Sequence, residues 1–262
     1  MGRLIQADWH IHTALSDCGS PEATPEAIIE AARAAGLAAI GLTDHVIYPQ
    51  HRSRPGRTRG NLPKDLKGLS VYIGCEADMF SPTRMSIDRD FASGLDYVIM
   101  SASHLHLPEV EKPGPLDPRT MADLIVQLTL AAINSGLADI ICHPFGVPES
   151  PFTFQEIVGE VKRAELVSVG EAAARAGVAI ELNPRYLRRA PDAASWLFLC
   201  LLDTGVKLAV NSDAHHPSGV GCRGPIYATE EELRSAGITE DRVWSIEDRV
   251  SAGRGKRASG TH

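Results

Sequence analysis

Seven short apolar runs punctuate this 262-residue chain, and each one ends in, or hands over to, His, Asp, Glu or Asn. The first carries His10 and His12. Residues 37–43 lead to Asp44 and His45, 69–75 to Glu76 and Asp78, and 96–103 to His104 and His106. Residues 138–142 deliver His143, 178–180 deliver Glu181 and Asn183, and 207–211 end in Asn211 ahead of Asp213 and His215. Between the runs lie helix signals. Thr24-Pro25 reads as an N-cap and first helical position, with Ile28, Ile29 and Ala32 on one side and Gly36 as a stop. Asp117-Pro118 opens a helix closed by Gly136, and a capping box from Thr153 to Glu156 starts a helical region toward Ala176, read as two helices. Residues 192–203 form another helix, and a second capping box, Thr229 to Glu232, starts a closing one. Strands alternating with helices imply a parallel sheet. An open doubly wound sheet collects ligands at one switch point, whereas a barrel converges the C-terminal ends of several strands on one mouth. The pattern therefore predicts an α/β fold with a closed barrel of seven strands.

A chain of this length accommodates one core, so a single domain is expected over 1–250, followed by a polar, Gly-rich tail at 251–262. The net charge of −7 argues against nucleic acid held on a broad basic surface, but leaves room for a phosphorylated small molecule if metals or local arginines supply positive charge. Five scattered cysteines (Cys18, Cys75, Cys142, Cys200, Cys222) contain no C-x-x-C pair. Neither a disulfide framework nor a zinc ribbon is indicated, and a reducing cytoplasm fits. No signal-peptide core occurs in 1–6, and no run approaches the ~18 apolar residues of a membrane span.

The strand-end residues carry the chemistry. Side chains at i and i+2 of a strand leave by the same face, so His10 and His12 are placed to grip one cation together. Six of the ten histidines stand at strand ends: His10, His12, His45, His104, His143 and His215. With Glu76 and Asp213, and Asp17 or Cys18 close by, these groups packed around one mouth without a cation would repel one another or stay unpaired. Mixed nitrogen and oxygen donors suit zinc, manganese or iron rather than calcium. Their number exceeds the four of one tetrahedral site, so more than one metal is implied, with Glu76 placed to bridge. Cys75 and Cys142, each next to a ligand, are expected to turn away from it and pack in the core.

These motifs resemble the PHP family, named for polymerase and histidinol phosphatase domains. The resemblance rests on Asp8-x-His10-x-His12-Thr13 with Ser16-Asp17, Thr43-Asp44-His45, Glu76, His104, Cys142-His143-Pro144, and Ser212-Asp213-Ala214-His215-x-Pro217 followed by Val220-Gly221. It implies a distorted seven-stranded (β/α)7, TIM-like barrel with a trinuclear centre. In that pattern His10, His12, Glu76 and Asp213 hold one metal, Glu76, His104 and His143 a second, and His45 with His215 a third. Several members place histidine where Cys18 stands, and others aspartate at the position of Asp17; here Asp17 is assigned to the third metal ahead of Cys18.

Clustered divalent cations supply hydroxide near neutral pH and clamp the oxygens of a phosphoryl displacement. The expected activity is hydrolysis of a small-molecule phosphoester, of histidinol-phosphate or nucleotide type, by a metal-bound hydroxide over two or three ions. Glu76, Asp213 and His215 are expected to combine catalytic and metal roles. Arg185 and Arg223 are placed to bind phosphate bidentately, and His106 is a further substrate-binding candidate, with lining of the pocket wall as its alternative. The stretch 48–67, with Arg52, Arg54, Arg57 and Arg59, reads as a long loop or lid, solvated rather than a phosphate clamp. Two other classes compete: an amidohydrolase-like barrel acting on an amide or lactone, for which no strand-end lysine is present, and a non-catalytic metal-binding module.

Overall fold

The computed structural model describes residues 3–115 and 117–251, so most of the predicted tail lies outside the described residues. The strands are β1 (Ala7–Ile11), β2 (Ala39–Leu42), β3 (His45–Val46), β4 (Ser70–Ile73), β5 (Glu76–Ser81), β6 (Arg84–Met85), β7 (Ile99–Ser101), β8 (Ile140–Ile141), β9 (Ala179–Leu182) and β10 (Leu208–Val210). The helices are α1 (Pro25–Ala34), α2 (Arg54–Gly60), α3 (Arg89–Ser93), α4 (Pro118–Asn134), α5 (Phe154–Gly159), α6 (Arg163–Ala176), α7 (Pro184–Arg189), α8 (Pro191–Leu202), α9 (Glu230–Ser235) and α10 (Ile246–Ser251).

Strands β1, β2 and β4 form one parallel sheet, and β3, β5, β7, β8, β9 and β10 continue as a second, with β6 folded back antiparallel on β5. β3 extends the line of β2 and β5 that of β4, so the ten strands occupy seven main positions in chain order, plus the β6 hairpin. Past the end of β10, Ala214 forms an isolated parallel bridge to Ile11 of β1, with His12 N–H donating to the Ala214 carbonyl at 2.9 Å. The fold is the expected TIM-like α/β arrangement of parallel strands; no continuously closed ladder is found among the described residues.

The ladder breaks without stranding its donors, because buried side chains accept what the neighbouring strand does not. Asp44 accepts from the Thr13 N–H (2.8 Å) and from the Thr13 (2.8 Å), Ser16 (2.9 Å) and Thr58 (2.8 Å) hydroxyls. Asp96 accepts from the Ile73 N–H (2.7 Å), Asp139 from Val98 (2.9 Å), Asn211 from Trp9 (3.0 Å) and Asp8 from Ser212 (3.0 Å). Short strands ending in polar residues are thereby compatible with complete burial.

Two apolar clusters result. The larger joins strands to the surrounding helices; the smaller gathers Trp9, Tyr72, Tyr97, Ile99, Ile140, Ala209 and Trp244. In it Trp9 meets Tyr72, Tyr97 and Trp244 edge-on at 5.4–5.9 Å, the preferred aromatic geometry. Gly41 makes room, since a Cβ there would lie 1.8 Å from the Tyr97 hydroxyl.

The helices follow their local signals. Thr24 and Asp117 cap α1 and α4, and both predicted capping boxes form, on α5 and α9. The stretch 48–67 departs from expectation. Residues Pro49–Ser53 make a 3-10 turn that runs into α2, with proline early in each and good helix-forming arginines between. Arg52 pairs with Asp88 (2.7 Å), Arg54 with Asp17 (2.7 Å) and Arg59 with Asp96 (3.4 Å), so these cations brace the structure.

Candidate metal centre

The convergence begins with a bulge. Asp8 stands opposite Ile40 and Ile11 opposite Leu42, so Trp9 and His10 together face the one residue Gly41. An extra residue re-aims the side chains that follow it. Trp9 joins the inner aromatic cluster, while His10, next in sequence, joins His12 at the mouth.

Glu76, the first residue of β5 and 1% exposed, is the hub. Its Oε1 lies 2.8 Å from His143 Nε2 and 3.6 Å from His104 Nε2. Its Oε2 lies 3.1 Å from His45 Nδ1, 3.3 Å from His10 Nε2 and 3.4 Å from His12 Nε2. Asp213 closes the far side, its Oδ1 3.5 Å from His10 Nε2, 3.3 Å from His12 Nε2 and 3.6 Å from His215 Nδ1. Asp213 holds a left-handed backbone (φ 52°), fixed by Arg185, whose guanidinium donates to the carbonyls of Ser212 (2.6 Å) and Asp213 (2.8 Å) and to the Asp213 carboxylate (3.3 Å).

Two observations show that these residues fit divalent cations. The Nε2 atoms of His10 and His12 face each other at 3.1 Å, an arrangement in which at most one carries the donated proton. The buried His45 Nδ1, although near Glu76, makes no aligned hydrogen bond. Among the described residues, donor atoms fall within 4.8 Å of one another in four sets: His10, His12 and Glu76; Glu76, Cys142 and His143; His45, Asp78 and His104; and His12, Cys18, His45 and His215.

The structure thus brings together His10, His12, His45, Glu76, His104, His143, Asp213 and His215. Asp17 stands apart. Its carboxylate is 76% exposed and occupied by Arg54 at 2.7 Å, with His51 at 3.7 Å, and Cys18 takes the place beside the imidazoles. Cys142 packs in the smaller apolar cluster, as expected, but does not turn away from the donors. β8 ends at Ile141, so strand alternation no longer governs Cys142, and His143 turns with φ 26°. Both face inward, the Cys142 thiol 3.3 Å from Glu76. Cys75 is buried in the outer cluster, as expected.

Residues with no assigned role in the sequence reading orient the ligands. His10 Nδ1 donates to buried Glu181 at 2.7 Å, and Glu181 also accepts from the His143 N–H (3.1 Å) and from Asn211 (3.1 Å). His104 Nδ1 donates to Asp78 at 2.6 Å, and Ser103 lies 2.9 Å from His143 Nδ1. Such partners fix tautomer and ring angle. Their signal was present, since Asp78 and Glu181 follow their apolar runs as the ligands do.

The electrostatics answer to this crowding. Burial alone raises the pKa of Glu76, but His45, His10 and His104 outweigh it and hold the carboxyl well below its usual range. Burial lowers His104, yet Asp78 and Glu76 prevail and raise it to about 9; Glu181, Asp213 and Glu76 likewise overcome burial to raise His10. His45 and His215 go the other way, depressed by burial. Cys18 is exposed as a residue, and partial desolvation of its thiol, then Glu76 and Asp213, pushes the thiol up to about 12.

The donors open into a cavity of about 560 Å³. His106 lines it, together with Glu149, Arg189 and the pair Phe154 and Tyr186, stacked at 4.3 Å and 7°. Arg185 and Arg223 are not in its wall: Arg185 sits behind Asp213, and Arg223 is exposed on its loop. Arg189, unassigned in the sequence reading, ends α7 just past the β9 strand end.

The model of the PHP domain family matches residues 8–185. A probable histidinol-phosphatase of Deinococcus radiodurans is 28% identical over 256 residues, covering 88% of this chain and 93% of its own. A probable phosphatase of Thermoanaerobacter sp. (strain X514) is 30% identical over 251 residues, covering 90% and 88%. Among solved structures, hisK from Listeria monocytogenes superposes with a TM-score of 0.56 at 13% identity, over 82% of this chain and 97% of that one, a likeness of fold. With the family match covering more than half of the chain, including His10, His12, His45, Glu76, His104 and His143, the chain belongs to the PHP domain family.

Proposed function

We propose that this protein is a metal-dependent phosphoesterase that releases phosphate from a small-molecule monoester. The carrying observation is Glu76, one buried carboxylate within 3.6 Å of five imidazoles. On this reading His10, His12, Glu76 and Asp213 hold one ion, Glu76, His104 and His143 a second, and His45 with His215 a third. Zinc, manganese and iron suit these donors. When bound, such ions neutralise phosphoryl oxygens and bring a water to the pKa range needed at neutral pH.

The protein's own groups set the geometry. Glu181 and Asp78 hold the imidazoles that receive the ions, and Arg185 fixes Asp213 from behind. Asp213 and His215 both line the cavity and are assigned the proton relay to the leaving oxygen, alongside their metal roles. His106, Arg189 and the Phe154–Tyr186 pair form the wall for the rest of the substrate. A flat ring against that pair, as in a histidinol or nucleoside phosphate, matches the wall. The relatives named as phosphatases, aligned over most of both chains, support the reading.

We also assign residues 1–250 to one domain and place the protein in a reducing cytoplasm, supported by five free cysteines. No helix among the described residues is long and apolar enough to cross a membrane.

The test is a panel: metal-loaded protein with histidinol phosphate, nucleoside monophosphates, sugar phosphates, amides and lactones. Phosphate release from at least one phosphoester supports the proposal. Hydrolysis of amides or lactones alone would replace it with the amidohydrolase reading, and no turnover of any compound, despite bound metal, with a non-catalytic module.

A further inference from the structure

We propose that Cys18, not Asp17, is the third protein ligand of the outermost cation, giving a Cys-His-His site with His45 and His215 that favours zinc over manganese. The inference rests on the reading that the mouth holds metal; it does not depend on which bond is hydrolysed.

Three observations carry it. The donor atoms of His12, Cys18, His45 and His215 all lie within 4.8 Å of one another. Because one imidazole normally serves one ion, and His12 Nε2 already faces His10, Glu76 and Asp213, the three donors left for an outer ion are Cys18, His45 and His215. Within that group the buried His45 Nδ1 lacks a hydrogen-bond partner.

The turn after β1 decides which neighbour faces inward. The Ser16 N–H donates to the Thr13 carbonyl (3.1 Å), the Gly19 N–H to Ser16 (3.0 Å) and the Ser20 N–H to His215 (2.8 Å). The winding is tight enough that a Cβ on Gly19 would lie 2.0 Å from the Thr13 oxygen. Both residues line the cavity, but the turn so held sets the Cys18 thiol within reach of the imidazoles while the Asp17 carboxylate is taken up by Arg54. Arg54 is itself tied to the His45 carbonyl at 3.0 Å, which fixes the guanidinium that holds the Asp17 carboxylate. For Asp17 to ligate, that pair would have to break.

Three protein ligands leave the fourth position of a tetrahedral zinc open, the pattern of a catalytic rather than a structural site. Thiolate is a soft donor, which disfavours manganese. On binding, the thiol proton passes to solvent, since the ligand is the thiolate.

Cobalt(II) loading of the full-length protein tests this, because thiolate-bound cobalt shows an intense near-ultraviolet charge-transfer absorption that nitrogen and oxygen ligands do not give. Expected is the band in the wild type, its loss in Cys18→Ser, its retention in Asp17→Asn and in Cys142→Ala, and one fewer ion per chain in Cys18→Ala. Cys18→His should regain the ion without the band, which guards against a folding artefact. No band in cobalt-loaded wild type, a band that survives Cys18→Ser, or loss of the ion in Asp17→Asn would overturn the proposal. If cobalt binds and phosphate is released without the band, only the thiolate assignment fails. Protein that binds no cobalt would contradict both this inference and the metal-centred function.

Discussion

At the scale of single residues, the centre depends on groups that never meet the substrate. Glu181 accepts the His10 Nδ1 proton and thereby aims Nε2 at the mouth. Replacing it, Glu181→Gln, removes a charged acceptor one atom shell behind the metal, and losses of roughly 10–100-fold in metal affinity are typical of such changes. Competition against a chelator measures this, and unaltered affinity would leave Glu181 a packing residue. His104 gives a pH dependence with a definite sign. Without metal, Asp78 and Glu76 overcome burial and keep it protonated up to about pH 9. A cation binding at neutral pH must expel that proton, so affinity should climb as pH rises from neutral toward about 9, with His10 and the Cys18 thiol adding to the slope. Calorimetry in buffers of different ionisation enthalpy reads the proton directly, and binding at pH 7 with no proton release would contradict it.

At the scale of elements, the bulge in β1 lets Trp9 and His10 both serve the interior, and Gly41 opposite leaves space for Tyr97. Gly41→Ala should cost at least about 1–3 kcal/mol of stability, the range for overpacking, in denaturant unfolding. Tyr97→Phe in the same chain removes the clashing hydroxyl and should recover part of the loss; full additivity would argue against the contact as the cause. The bulge was not legible in the sequence, because register is a relation between strands about 30 residues apart. What was legible is local: the caps at Thr24 and Asp117 and both capping boxes depend on residues three apart. The stretch 48–67 misled because its Pro, Gly and Arg content suits a loop as well as a short helix. Cys142 misled because alternation was extended past Ile141, where the strand ends. Asp17 and Cys18 are adjacent and both can bind metal, so only the hydrogen bonding of their turn separates them.

At the scale of the whole molecule, parallel strands in chain order bring donors up to about 200 residues apart in sequence to one mouth, and that convergence was readable because every apolar run ended in a polar residue. Recurrence picked out the candidate donors; it could not show that Arg185 faces Asp213 rather than the cavity, or that Arg189 lines the wall. In an acidic chain of net charge −7, an anionic substrate calls for local positive charge at the mouth, which cations held by these donors, with Arg189 in the wall, would supply. Glu76 therefore joins structure to function, since one carboxylate serves two of the proposed ions. The direct test measures metal content and phosphate release together in wild type and Glu76→Gln, with circular dichroism to confirm folding. Expected is a loss of at least one ion per chain and a fall in release of 10³-fold or more, about 4 kcal/mol of transition-state stabilisation. A folded Glu76→Gln protein that keeps its metals and hydrolyses phosphoesters at the wild-type rate would contradict it.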